Sequence, residues 1–132
     1  RQNIFKNWLI YNKMHYKNKI KNYQFGKISE IYACVFIFFK GYKILKKNYK
    51  NCCGEIDIIA KKGQTFVAIE VKARKTKIAF DEIVTQKQQN RIKNSFQIFL
   101  GSITTKNFCA RIDLMIIFPW HIPIHLKGFL LE

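Results

Sequence analysis

The chain is poor in acidic residues, proline and glycine. Its 132 residues include eight Asp plus Glu against 24 Lys plus Arg, with two prolines and six glycines. So little proline and glycine, combined with 48% hydrophobic residues, excludes a disordered chain and predicts one globular domain. The formal net charge of +16 favours a polyanionic partner, of which nucleic acid is the usual one.

The sequence also lacks a long apolar segment. Its longest apolar run covers residues 31–39, whereas a membrane-spanning helix needs about 20 residues. The first residues carry scattered lysines and no apolar block that ends in small residues, unlike a secretory signal. We therefore expect a cytoplasmic protein without a membrane span.

No C-x-x-C motif occurs among the four cysteines. Cys52 and Cys53 are adjacent, and adjacent cysteines rarely chelate one zinc ion well. His121 and His125 are the histidines that would complete such a site, but Pro123 between them opposes helical spacing. Reduced thiols are the simpler expectation.

The chain divides into a basic segment, residues 1–25, and a patterned domain, residues 26–132. We expect residues 1–25 to be a loosely ordered extension, with a basic arm that contacts nucleic acid as the alternative. Within the domain, Ser29 is expected to cap a helix that ends near Lys40. The order α-β-β-β-α-β predicts an α/β fold in which helices flank a mixed sheet. The further elements are a short strand at 42–45, a basic loop at 46–50, strands at 55–59 and 66–73 joined by a hairpin, a helix at about 80–100, a strand at 110–118 and an apolar tail.

Three of the eight acids, Glu55, Asp57 and Glu70, lie within otherwise apolar β-type sequence. A buried carboxylate is costly unless a cation lies beside it. The numbers of opposed residues in an antiparallel pair have a constant sum: a sum of 127 sets Asp57 opposite Glu70, and 125 makes them diagonal neighbours. In either register both carboxylates reach one ion, and oxygen ligands favour Mg²⁺ or Mn²⁺.

Lys72 follows Glu70 by two residues and therefore lies on the same face of the predicted strand. Its ammonium group can stabilise charge on a phosphate or help to deprotonate a water molecule, as phosphodiester hydrolysis requires. The alternative is an ion pair on a solvated face, without a catalytic role.

The domain contains, in order, the segments GKISEIYA, GYKILKKNYK, GEIDIIA, FVAIEVKAR, VTQKQQNRI and RIDLMII. Taken together, these segments resemble the YraN-like family, which belongs to the restriction-endonuclease-like superfamily with its PD-(D/E)xK motif. The resemblance covers residues 26–127 and implies a restriction-endonuclease-like mixed sheet flanked by helices. Two departures are Ser29, where the family usually has Gly, and the absence of Pro before Asp57.

The resemblance implies a catalytic site of four residues. Asp57 corresponds to the metal-binding Asp, and Glu70 and Lys72 correspond to the Glu-x-Lys. Glu30 is the helix carboxylate that approaches the metal, and Glu55 is a further candidate ligand for Mg²⁺ or Mn²⁺. Asp113 is expected to have a structural role at a strand edge.

The implied function is metal-dependent cleavage of DNA, including branched or damaged DNA. A non-catalytic nucleic-acid-binding module and attachment of residues 1–25 to an anionic membrane are the alternatives. The basic residues expected to contact nucleic acid are Lys46, Lys47, Lys50, Arg74, Lys87 and Arg91.

Overall fold

In the described part of the chain, five strands form one mixed sheet with a helix packed on each face. The computed structural model describes residues 2–75 and 83–130, and side chains from residue 6 onward. The strands lie in the order β1-β2-β3-β4-β5, and every neighbouring pair is antiparallel except the parallel pair β3–β4. This confirms the predicted α/β architecture. The elements are α1 (Gln2–Phe39), β1 (Lys43–Asn51), β2 (Gly54–Lys62), β3 (Thr65–Ala73), α2 (Gln86–Gly101), β4 (Cys109–Ile117) and β5 (Ile124–Leu126).

The two faces of the sheet bury separate apolar clusters. Alternating side chains of β2 and β3 divide between the faces, so that Ile58 and Ile69 lie on the α1 side while Ile59 and Ala68 lie on the α2 side. The helices contribute the covering side chains, which are Ala33, Cys34 and Ile37 from α1 and Phe96 and Phe99 from α2. Burial on both faces fixes the central strands, since each large apolar side chain contributes about 1.5–3 kcal/mol.

Helix α1 is longer than the sequence predicts. Ser29 is not an N-cap, because it lies inside the helix with its side chain buried. Ser29 and Ala33 are small and fully buried, which lets this part of the helix backbone lie close to the sheet. Residues 2–25, where the sequence predicts a loosely ordered extension, continue the same helix and are exposed from residue 6 to 24. They contain no Gly or Pro to stop propagation from the packed part of the helix.

The other boundaries of α1 and α2 follow local capping chemistry. Helix α1 ends at Phe39, and Gly41 adopts the predicted left-handed conformation with φ of +88°. Helix α2 begins at Gln86, where Thr85 and Gln88 form a reciprocal capping box. The predicted start near residue 80 lies outside the described residues. No helix in the described ranges is long and apolar enough to cross a membrane.

Strand β1 replaces the predicted short strand and basic loop. It runs for nine residues and pairs with β2 from Lys43↔Lys61 to Asn51↔Gly54, with one irregularity between Ile44 and Lys46. The tight turn at residues 52–53 extends the ladder, because it brings Asn51 directly opposite Gly54. The lysines predicted to lie in a loop therefore lie on an edge strand.

Candidate active site

The register of β2 against β3 decides where the central acids meet. Ile58 pairs with Ile69 and Ile59 with Ala68, which confirms the sum of 127. The backbone pairing ends at Ile58↔Ile69, directly beside Asp57 and Glu70. Beyond this pair, the Asp57 side chain acts as the hydrogen-bond acceptor for strand β3: its Oδ2 accepts from the Val71 N–H at 2.8 Å.

Asp57 and Glu70 are close enough for their carboxyl groups to share a hydrogen bond. Burial, followed by the charge of Glu70, raises the pKa of Asp57 from 3.8 to about 7. The Val71 N–H opposes this rise, as a donor to the charged form should. Near neutral pH Asp57 is therefore partly protonated, and a cation beside the pair would favour its ionised form.

Lys72 supplies one cationic group beside this acid pair. Its Nζ lies 3.0 Å from Glu70 Oε1, and the two side chains are only 16% and 15% exposed. The alternative of an ion pair on a solvated face does not fit such burial. Lys72 also lines a cavity of about 460 Å³ together with Arg74 and Lys75, so its ammonium lies between the carboxylates and a basic recess.

Glu30 approaches the same pair from helix α1. It lines a cavity of about 140 Å³ with Asp57, Lys27 and Lys47. Burial raises the pKa of Glu30, and the Asp57 charge raises it further. Lys27 opposes these effects through an ion pair in which its Nζ lies 3.8 Å from Glu30 Oε2. The structure thus brings the four predicted catalytic residues into one region.

Glu55, in contrast, is not brought into the acid pair. Its side chain is 44% exposed, and its Oε2 lies 3.9 Å from Lys50 Nζ in a surface ion pair. It acts on the site only as a further charge that raises the pKa of Glu30. The structure places it at the rim, and its role as a metal ligand stays a prediction.

The six predicted nucleic-acid contacts are spread over three elements. Lys46, Lys47 and Lys50 lie on the edge strand β1, and Lys47 lines the Asp57 cavity. Arg74 follows β3, donates to the Ala73 carbonyl at 2.8 Å and lines the Lys72 cavity. Lys87 and Arg91 lie on the exposed side of α2. Of these residues, Lys47 and Arg74 are the ones that line the two cavities beside the acids.

Comparison with known proteins gives the family. Residues 29–117 match the family model described as Uncharacterised protein family UPF0102, a span that includes Glu30, Asp57, Glu70 and Lys72. The chain belongs to the UPF0102 family. This confirms the YraN-like resemblance.

Similar UPF0102 proteins occur in several bacteria. The chain is 34% identical to one from Bartonella tribocorum over 116 residues, which cover 86% of this chain and 88% of the relative. It is 39% identical to one from Rhizobium johnstonii over 101 residues, which cover 76% and 83%. It is 36% identical to one from Nitrobacter winogradskyi over 111 residues, which cover 83% and 94%. These names state no reaction.

The donor set of this UPF0102 protein suits an open magnesium or manganese site. Among the described residues, no three His, Cys, Asp or Glu side chains form a metal-holding group. The zinc site that the sequence disfavours would need His121 and His125, but His125 is hydrogen-bonded to Asp113 and His121 to the Pro119 carbonyl. Mg²⁺ is commonly held by one or two carboxylates, with water and substrate phosphate completing its shell. Asp57 and Glu70 fit that pattern.

A second polar cluster was not expected from the sequence. Asp113 is fully buried and accepts hydrogen bonds from Arg111 Nε at 2.7 Å, from His125 at 2.7 Å and from the Gly128 N–H at 2.9 Å. Arg111 also donates to the Tyr42 hydroxyl at 2.8 Å.

The cluster joins β4 to β5 and to the start of β1, which fits the structural role predicted for Asp113. It lies inside the sheet rather than at the predicted strand edge, because β5 covers β4. The Arg-x-Asp pattern in an apolar strand was the available signal, whereas nothing in the sequence pointed to His125.

Proposed function

We propose that this UPF0102 protein is a metal-dependent nuclease that hydrolyses DNA phosphodiester bonds, including those of branched DNA. The observation that carries the proposal is the largely buried group of Asp57, Glu70 and Lys72, with Lys72 Nζ 3.0 Å from Glu70. Burying two acids against each other destabilises a fold. Such an arrangement is understandable where the acids hold a cation needed for function.

Each residue has a distinct role in this proposal. Asp57 and Glu70 would hold Mg²⁺ or Mn²⁺, which when bound supplies positive charge to the phosphate and its attacking water. The Val71 N–H orients the Asp57 carboxylate. Lys72 donates hydrogen bonds to a phosphate oxygen and stabilises the charge that develops there.

A polyanionic substrate fits the charges around these acids. Lys27 and Lys47 line the cavity on one side, and Arg74 and Lys75 line the cavity beside Lys72. A nucleic-acid strand that crosses the site would meet cations before and after the carboxylates. Binding should therefore weaken as salt rises, since each neutralised phosphate releases counterions.

The test is cleavage of plasmid, single-stranded and four-way-junction DNA with Mg²⁺ or Mn²⁺. Asp57→Asn and Lys72→Gln should each lower the cleavage rate by about 100-fold or more, as loss of a group that stabilises transition-state charge does. The matched controls Glu132→Gln and Lys106→Gln each remove a charge of the same sign and should cleave like the wild type. Cleavage that survives both site substitutions would exclude this site.

A non-catalytic nucleic-acid-binding module is the second candidate. One observation favours it: the Val71 N–H and Lys72 already donate to the two carboxylates, so the acids have partners without a metal ion. This function predicts salt-sensitive DNA binding, no heat of Mn²⁺ binding in calorimetry, and equal DNA affinity for wild type and Asp57→Asn. Mn²⁺ binding that Asp57→Asn abolishes would decide for the nuclease.

A further inference from the structure

The outer face of the second half of α1 is apolar and exposed. Its inner face packs Ala33 and Ile37 on the sheet. The opposite side chains remain between 44% and 82% exposed. From residue 28 to 39 the only charged residue is Glu30, which faces the candidate active site. The exposed set, called here the outer stripe, comprises Ile28, Ile31, Tyr32, Val35, Phe38 and Phe39.

The outer stripe is large for a surface in contact with water. From the exposed fractions, the six side chains present on the order of 700 Å² of accessible surface. The fully exposed Trp120 and the exposed Ile122 extend it across a groove of about 470 Å³ that Ile28 and Tyr32 also line. The largest apolar patch on a monomer is typically about 300–600 Å², and a stable interface buries about 800 Å² per partner. The area therefore matches one side of a protein–protein interface.

The spacing within the stripe indicates what covers it. Ile28, Ile31, Val35 and Phe38 follow one another at intervals of three, four and three, which is the seam of a helix that packs against another helix. Such a seam is complementary to a copy of itself, as a two-fold interface requires. It also places no like charges against each other, although each chain carries +16. We propose that two copies of this chain associate through the outer stripe of α1.

The charge distribution selects an antiparallel helix pair. Residues 1–29 contain seven Lys plus Arg and no acid. A parallel pair would place these two basic segments side by side, well within the screening length of about 8–10 Å. An antiparallel pair directs them to opposite ends of the dimer and brings Ile28 near Phe38 of the partner subunit.

This dimer should respond to salt in the opposite sense to a complex held by nucleic acid. Screening weakens the repulsion between two cationic chains and leaves the apolar contact in place. We expect the dissociation constant to fall by about tenfold between roughly 50 and 500 mM NaCl. Association through bound nucleic acid would weaken over the same range, because counterion release is lost.

Sedimentation equilibrium of the full chain, freed of nucleic acid, tests the interface. Wild type should dimerise, and Val35→Gln/Phe38→Gln should raise the dissociation constant by about 30-fold or more, as removal of central apolar contacts does. The matched control Leu9→Gln/Ile98→Gln replaces exposed apolar residues outside the stripe and should dimerise like the wild type. Circular dichroism and melting would show that both variants fold.

A wild type that stays monomeric at about 200 µM in about 500 mM NaCl would overturn the proposal, since a standard-size interface should be populated there. A stripe variant that dimerises as tightly as the wild type would do the same. A membrane is the competing occupant: flotation of monomeric wild type with anionic vesicles, lost in the stripe variant, would also refute the dimer.

Disulfide trapping tests the interface without polar substitutions, so a stripe variant that fails to fold leaves the question answerable. In a background with Cys52, Cys53 and Cys109 changed to Ser, Ile28→Cys and Phe38→Cys chains are mixed and oxidised. The antiparallel dimer predicts a disulfide between the two variants. Disulfides that join only Ile28→Cys chains to one another would refute the antiparallel arrangement. The absence of a disulfide from every mixture would refute the interface.

Discussion

Replacing Asp57 by Asn should stabilise the fold while it abolishes metal binding. Burial and Glu70 raise the pKa of Asp57 from 3.8 to about 7. In this range the folded chain retains a proton that the unfolded chain releases, so stability is greatest at low pH and falls as the pH rises to about 7. The difference in pKa corresponds to about 4 kcal/mol, because each pKa unit is worth about 1.4 kcal/mol.

The gain in free energy of unfolding that we expect for Asp57→Asn follows from this dependence of stability on pH. The amide keeps an oxygen that can accept from the Val71 N–H, but it carries no charge to bury. At about pH 8 in EDTA, we expect the variant to exceed the wild type by about 2–4 kcal/mol in free energy of unfolding, or about 7–14 °C in melting temperature. At about pH 4 the two should differ little, since the carboxyl of the folded wild type is protonated.

Urea and thermal unfolding of both chains across this pH range are the measurements. Adding Mn²⁺ at about pH 8 should raise the free energy of unfolding of the wild type but not of the variant. The expected increase is about 2.7 kcal/mol when the Mn²⁺ concentration is a hundred times the dissociation constant. A stability difference that does not change with pH would refute the view of Asp57 as a buried acid opposed by Glu70. A pH-dependent difference without any Mn²⁺ effect would keep that view and refute metal binding.

Three further substitutions address other parts of the molecule. Burial alone would raise the pKa of Asp113, but hydrogen bonds from His125 and Arg111 lower it. The ionised Asp113 therefore stabilises the fold at pH values above its ordinary pKa, and this contribution is lost as the pH falls. Asp113→Asn should cost about 3–5 kcal/mol at neutral pH and less in acid, measured by urea unfolding. Gly54→Ala should lower the free energy of unfolding by about 1–3 kcal/mol, because φ is +157° and the new Cβ would lie 3.3 Å from Arg91 Cβ. An unchanged melting temperature would contradict this packing. Lys47→Gln should weaken DNA binding and reduce the salt slope by about 1 in a fluorescence titration, whereas an unchanged slope would show that Lys47 contacts no phosphate.

The hairpin of β2 and β3 could be predicted from local sequence. The β-branched runs around residues 61–64 indicate two strands and a turn, and Gly63 adopts a left-handed φ of +59° there. The alternation of side chains then limits Asp57 and Glu70 to a few registers. Local rules allowed two registers, in which the numbers of paired residues sum to 125 or 127, and only the observed pairing of β2 with β3 selects 127.

The elements predicted incorrectly depend on contacts with distant parts of the chain. Ser29 has the residue type of a helix cap, yet it lies buried in α1 because the sheet requires a small residue there. Lys46 to Lys50 have the composition of a loop, yet pairing with β2 holds them in a strand. Propensity is a weak signal, and tertiary pairing overrides it in both cases.

The sequence by itself determined the α/β class, the family and the acid pair with its lysine, because these depend on residue type and short spacing. The tertiary structure alone decided that Glu55 stays at the rim, and it places Glu30 beside Asp57, which the sequence implied only by resemblance. It also decided that Asp113 meets His125 and that one face of α1 remains uncovered. Such juxtapositions join residues far apart in the chain, and their geometry is set by how the helices and strands pack rather than by local pattern.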